Sequence, residues 1–297
     1  MPFIYDHINH QKTLTRTDLP CFYKLLDDIS DQLSAPKFDG VHVDSRYNAY
    51  AVEFPTGQRV LGIGAILWVV LDPSERLAVL AHETAHFTNN DPARGRSESA
   101  ALMTLSNWVG IFEPPEVFDH DTGTIIMVDD RDFIGQLLGN SLGVMFKGLT
   151  YNFERFIFAD SQRSEYLADI YGASVSGASA QQSALKKTIL APLAYKELSK
   201  LYYDGSQHIP IFDIMATAIR QPDPELEQNL YHEAAKTLHT VDHTHPPTRF
   251  RMEVVGVAGN ENAALHADDY NWKAVDAELS AHFKTIEQDF LEDILTQ

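Results

Sequence analysis

The chain has 297 residues, 44% hydrophobic and 22% charged, the balance of a soluble globular protein with ample material for a core. Its formal net charge of −19 opposes a phosphate backbone, so nucleic acid is not an expected partner. A single cysteine, Cys21, excludes an intrachain disulfide and fits a reducing compartment.

The opening MPFIYDHINHQKTLTRTDLP has no apolar stretch of the secretory kind, so a cytoplasmic location is expected. The next segment, CFYKLLDDISDQLS, has a helix-period apolar face and makes residues 1–37 a helical lead-in. Residues 38–297 read as one domain of α+β, helix-dominated class. It begins with VHVDS, YNAYAVEF and QRVLGIGAILWVV, rich in β-branched and aromatic residues and punctuated by PTG, which suggests a small antiparallel sheet. The apolar runs at 60–71 and 133–146 fall short of the roughly 20 residues that span a bilayer, so no transmembrane segment is expected. At Asp72 a helix starts with a full set of signals: Asp72 as N-cap, Pro73 in the first turn and Glu75 three residues after the cap. It should run over about 72–89 and stop before Pro92. SESAALMTLSNWVGIF reads as helix, EPPEVFDHDTGT as loop, and 130–172 as long helix with a break near Gly148. Further helices are expected over 178–203, 211–219 and 224–240, and in two C-terminal segments.

The first long helix contains LAVLAHETAHFTNND. Residues four apart share a helix face, so His82 and His86 can aim their imidazoles at one zinc ion. Glu83, beside that face, is placed to act as a general base on water held there. The extended pattern HExxHxxGxxH is excluded, because Asn89 and Pro92 stand where it needs Gly and His. A third ligand must then come from a downstream acid. In SQRSEYLADIYGA, Glu165 and Asp169 are also four apart; one can bind metal while the other accepts the ring N–H of a ligand histidine and orients it. In VDHTHPPTRFRME, Pro246 and Pro247 fix the backbone after His243 and His245. His42 alternates with Val41 and Val43 and reads as a strand residue.

YNAYAVEFPTGQRVLGIGAILWVVLDPSERLAVLAHETAH, SEYLAD and THPPTRFR, in this order, resemble the M48 family of zinc metallopeptidases, which includes HtpX and the CAAX prenyl endopeptidase; this chain looks like a soluble, stand-alone member. The resemblance implies a zincin-like domain and one zinc ion per chain. It makes His82, His86 and Glu165 the metal ligands, Glu83 the catalytic base and Asp169 the partner of a ligand histidine. His245 becomes a stabiliser of the transition state, with Arg251 as a nearby charge. A substrate-pairing edge strand would lie at Leu61, Gly62, Ile63, Gly64 and Ala65, where backbone pairing holds an extended peptide. The activity implied is hydrolysis of peptide or protein substrates. Two alternatives stay open: a non-catalytic, zinc-stabilised binding or adaptor protein, and a latent peptidase covered by its own N-terminal segment or loop.

Overall fold

The structure is a computed structural model that describes residues 13–89, 91–112, 116–119, 124–127, 133–204, 210–236 and 246–296. Two compact units are present: residues 1–92 with 162–297, and residues 93–161.

The first unit opens with α1 (Pro20–Leu33), whose Phe22, Leu25, Leu26 and Ile29 are buried at helical spacing. Three strands follow: β1 (Gly40–Asp44), β2 (Ala49–Glu53) and β3 (Arg59–Gly64). They are ordered β1-β3-β2, with β1 parallel and β2 antiparallel to β3. The sheet is thus mixed rather than antiparallel throughout, because the chain passes β2 back along β3 and leaves β1 on its far side. Close packing fixes this arrangement at Gly62, where a Cβ would fall 2.0 Å from the Tyr50 ring. The Tyr50 hydroxyl meets Nδ1 of His42 at 2.8 Å, so His42 is the buried strand residue its alternation suggests. The run VLGIGAILWVV is divided. Strand ends at Gly64, and Ala65–Val70 forms a short buried helix, α2.

Helix α3 (Pro73–Thr88) begins as expected, with the Asp72–Glu75 capping box formed. The Glu75 carboxylate accepts the Asp72 N–H at 2.7 Å, the Ser183 hydroxyl at 2.6 Å and the Lys187 ammonium at 2.5 Å. Ser183 and Lys187 belong to α6 (Ala178–Ile189), so the start of α3 is tied to a helix about a hundred residues downstream.

Helices α4 (Asp91–Phe112) and α5 (Phe133–Ser176) account for most of the second unit, with β4 (Glu116–Asp119) and β5 (Thr124–Met127) paired antiparallel between them. The segment expected as loop is thus partly a hairpin. Helix α5 runs through Gly148 without a break. Inside this unit Trp108 and Phe112 pack on Phe146, at 4.9 and 5.5 Å between ring centroids, while Met103, Ile111, Leu138 and Val144 are exposed. Among the described residues no helix is long and apolar enough to cross a membrane.

Past α5 the first unit resumes with α6, α7 (Ala191–Asp204), α8 (Ile211–Arg220), α9 (Pro224–Lys236), α10 (Thr248–Ala258) and α11 (Trp272–Thr296). The expected single helix over 178–203 is split at Leu190, since Pro192 lacks the N–H a continuous helix needs there. One apolar core joins α1, the sheet, α2, α3, α8 and α11. The class is α+β and helix-dominated, with a small three-stranded sheet ahead of α3.

Candidate metal centre

The site is built from three helices of the first unit. Helix α3 supplies His82, Glu83 and His86, with His82 and Glu83 buried at 5% and 8% exposure. The 162–176 part of α5 supplies Glu165 and Asp169. It lies close to α3 because residue 172 is glycine: a Cβ there would fall 2.6 Å from Oε1 of Gln181 and 3.4 Å from the Ala78 carbonyl. Helix α10, started by Pro247, supplies Arg251.

His82, His86 and Glu165 each turn one donor atom into a common space, all three within 4.8 Å of one another. Nε2 of His82 lies 3.6 Å from Oε2 of Glu165, and Nε2 of His86 lies 3.6 Å from Oε1. The two imidazole planes stand at 89° with centroids 5.0 Å apart, so the ring nitrogens converge instead of stacking. Two imidazoles and a carboxylate at this spacing suit a four-coordinate cation that keeps one position open.

Each histidine is held from behind. Nδ1 of His82 is 3.0 Å from Oδ1 of Asp169, and Nδ1 of His86 is 3.0 Å from Oδ2 of Asp91. The His86 contact is a hydrogen bond and the His82 contact a close approach of ring nitrogen and carboxylate; both brace the ring with Nε2 toward the common space. Asp169, wholly buried, also accepts two N–H groups of Arg251, at 2.7 and 2.8 Å, and the Gln181 amide at 2.9 Å. Arg251 reaches further, with Nη1 3.4 Å from Oε2 of Glu165 and Nη2 3.4 Å from Nε2 of His82.

The charges explain the titration. Burial by itself disfavours an ionised carboxylate and a protonated imidazole. For Asp169 burial is outweighed by the Arg251 and His82 hydrogen bonds, which bring its pKa down to about 2. For His82 burial is likewise outweighed, here by Asp169 and Glu165, and the pKa rises to about 10. Arg251, despite burial, is held above its ordinary value by Asp169. Glu83, Asp91, Glu165 and Asp169 are four acids against the one guanidinium of Arg251, so a donor set of two imidazoles and a carboxylate in acidic surroundings fits the metal that the spacing of residues 82 and 86 suggests.

A cavity of about 390 Å³ opens beside His82 and Glu83, walled by the start of β2, α3, α6 and the start of α10. Of the residues singled out in the sequence, His82, Glu83 and Arg251 line this cavity, while His86, Glu165 and Asp169 stand against His82 behind it. His243 and His245 lie outside the described residues. The proposed edge strand does not hold: Leu61, Gly62, Ile63 and Gly64 belong to β3, which is the central strand, and Ala65 starts α2. Paired with β1 on one side and β2 on the other, β3 has no edge to offer a peptide. Two site residues went unnoticed in the sequence. Asp91 sits in the NND that ends α3 and could have been sought as an acid just past the second histidine. Gln181, in ASAQQSALKK, has no local signal.

Residues 24–256 match the family described as "Peptidase family M48". A protease HtpX homolog of Pyrobaculum calidifontis is 27% identical over 247 residues, covering 78% of this chain and 66% of the relative. A protease HtpX homolog of Syntrophobacter fumaroxidans is 28% identical over 165 residues, covering 55% and 56%. The crystal structure of Ste24p from S. mikatae is similar at 18% identity with a TM-score of 0.37, over 78% of this chain and 48% of that one. The matched region therefore spans just under two thirds of one relative's length and over half of the other's.

Proposed function

The chain belongs to peptidase family M48, and on that premise we propose that it is a zinc-dependent endopeptidase with Glu83 as general base. The observation that carries the reading is the convergence of His82, His86 and Glu165 within 4.8 Å beside a cavity whose wall includes Glu83. A zinc ion held by these three residues would supply an acidified water and a Lewis acid for the substrate carbonyl.

The protein's own part follows from positions. Glu83 accepts the proton of the attacking water and delivers it to the leaving amine. Asp169 and Asp91 keep the His82 and His86 rings in register. Arg251 keeps Asp169 ionised and adds positive charge beside the reacting carbonyl, where preorganised donors count most. His245 remains our candidate for a further donor to the developing oxyanion.

An extended peptide has an edge to pair with, and it is β2. Among the described residues β2 is bonded on one side only. Phe54 N–H to Gln58 O and Gly64 N–H to Asn48 O, both 2.8 Å, mark bonded pairs at the two ends of its ladder with β3. Alternation then turns the N–H and C=O of Ala49 and Ala51 outward. Ala49 also lines the cavity, so a peptide added there runs past Glu83.

The deciding measurement is Glu83→Gln with zinc content determined on the same sample. Loss of peptide hydrolysis with zinc retained at one ion per chain is the expected result. Undiminished cleavage, or a wild-type protein that binds no zinc, would overturn the reading. A purely structural zinc site, the adaptor alternative, gives Glu83 no task beside an open cavity.

A further inference from the structure

The second unit carries apolar surface that the candidate metal centre does not use. Among the described residues fourteen large apolar side chains are exposed, and twelve of them lie between Met103 and Phe156. On α5 they are not scattered. Ile134, Leu138, Leu142, Met145, Leu149 and Phe156 are 36–65% exposed and follow one another at steps of four, four, three, four and seven residues. Such three-and-four spacing keeps side chains on one line of a helix, the seam along which two helices wind together. The seam position before Phe156 is Asn152, whose amide donates to the Gly148 carbonyl at 2.7 Å. Another face of α5 is already occupied by α4: Trp108 and Phe112 pack on Phe146, and Gly143 lies against Phe112. The seam is left outside that contact.

We propose that this seam is the interface of a homodimer, in which α5 of one copy pairs antiparallel with α5 of a second, the two-fold axis passing beside Met145. The nine exposed large apolar side chains of α5 present on the order of 500–1,000 Å². That is at or above the largest patch of an ordinary monomer, and it matches the roughly 800 Å² that each partner brings to a stable interface. A seam closes against another seam, and a second α5 supplies one of equal length. Charge sets the direction. Residues 113–132, just before α5, contain seven acids and one arginine, whereas Lys147, Glu154 and Arg155 give the far part of the seam a net charge of +1. Parallel pairing would set two acidic stretches side by side; the antiparallel register brings each toward the basic end of the other copy. It places Ile134 opposite Phe156 and Leu142 opposite Leu149 in a self-complementary contact. The same acids oppose an anionic bilayer surface, the rival occupant of an apolar face.

The test uses the full chain and does not depend on the peptidase reading. Sedimentation velocity across micromolar concentrations should give a reversible dimer, twice the mass of the 33.3 kDa chain. Met145→Glu sets two like charges together at the axis and should weaken dimerisation by roughly a hundredfold or more. Leu149→Glu repeats the measurement if that variant does not fold. Val257→Glu, at a 91% exposed apolar residue of the first unit, should leave the dimer intact. Direction is read by cross-linking after the one exposed cysteine is removed by Cys21→Ser. In that background a short bismaleimide should join Ile134→Cys to Phe156→Cys when the two proteins are mixed, and neither to itself.

Monomers at every concentration, or a dimer that folded Met145→Glu and Leu149→Glu variants leave unchanged, overturn the proposal. Efficient joining of Ile134→Cys to itself overturns the antiparallel register. A monomer that floats with neutral phosphatidylcholine vesicles, and no longer does so as Met145→Glu, also overturns the dimer and assigns the seam to lipid.

Discussion

Asp169→Ala is the substitution whose effects should spread furthest. It removes both acceptors of the Arg251 fork, at 2.7 and 2.8 Å, where Asp169 is 0% and Arg251 9% exposed. Removing one member of a buried pair strands the other charge away from water and costs about 3–5 kcal/mol. At about 2–4 °C per kcal/mol for a domain of a few hundred residues, the melting midpoint should fall by about 6–20 °C. The freed guanidinium already stands 3.4 Å from Oε2 of Glu165, so it is drawn onto a ligand carboxylate and competes there with the cation. His82 loses its Nδ1 acceptor at the same time. Metal affinity should drop by at least the 10–100-fold that follows loss of a ligand's supporting group. The double variant Asp169→Ala with Arg251→Met tells the two effects apart. With both charges gone most of the lost stability should return, because an apolar replacement for a buried ion pair is often neutral. About 1 kcal/mol should remain lost for the unmet Gln181 amide, and zinc affinity should stay low. Thermal unfolding in chelator and competition against a chelating dye measure the two quantities. A single variant within 1 kcal/mol of wild type, or a double variant no more stable than the single, would refute the electrostatic account.

The pH dependence should differ in sign between chelated and zinc-loaded protein. The His82 pKa, raised from 6.5 to about 10, means that its proton stabilises the chelated fold fully below pH 6.5 and that this is lost as pH rises toward 10. Asp169, lowered from 3.8 to about 2, contributes stability above pH 3.8 that disappears as pH falls toward 2. Because zinc must displace the His82 proton, its apparent affinity should rise up to tenfold per pH unit between 6 and 8; a flat profile by dye competition would contradict this. Asp91→Ala removes the 3.0 Å contact to Nδ1 of His86 and should cost about 10–100-fold in zinc affinity or activity; titrations indistinguishable from wild type would show that the His86 ring needs no such support. Lys187→Met leaves Glu75, 3% exposed, without its ammonium at 2.5 Å, a loss of about 3–5 kcal/mol. A denaturation midpoint equal to that of wild type would show that the tie between α3 and α6 contributes nothing.

The parts of this site that could be read in the sequence are those whose chemistry is local. His82, Glu83 and His86 are related by the pitch of one helix, and Asp72, Pro73 and Glu75 announce where that helix begins. Glu165 and Asp169 repeat the same spacing, but nothing in the spacing says which acid binds metal; the family resemblance alone assigns Glu165 to the ion and Asp169 to a ligand histidine. The strand order could not be read in this way. A run such as VLGIG looks the same whether it is central or at an edge, and only the crossing of the chain from β2 to β3 decides. Gln181 belongs to the same class: its role exists only because α6 packs where Gly172 leaves room. The capping box is legible in the sequence as a device for starting α3, whereas its tie to Lys187 is a tertiary fact.

Arg251 shows why the two-histidine motif is not self-sufficient. A buried aspartate facing an imidazole would, by itself, tend to take up a proton and cease to be a good acceptor for the ring N–H. The bidentate guanidinium prevents this, and an ionised Asp169 favours the His82 hydrogen on Nδ1 once a cation takes the place of the proton on Nε2, the nitrogen that faces Glu165. The histidine on α3 is therefore armed by a residue on α10, 169 positions later, through an acid on α5. The same guanidinium offsets one of the four acids gathered here, Glu83, Asp91, Glu165 and Asp169, and leaves an acidic pocket for a cation. Helix α10 follows the two prolines that also border the cavity beside Glu83, so one turn of backbone places both Arg251 at the candidate metal centre and one wall of that cavity.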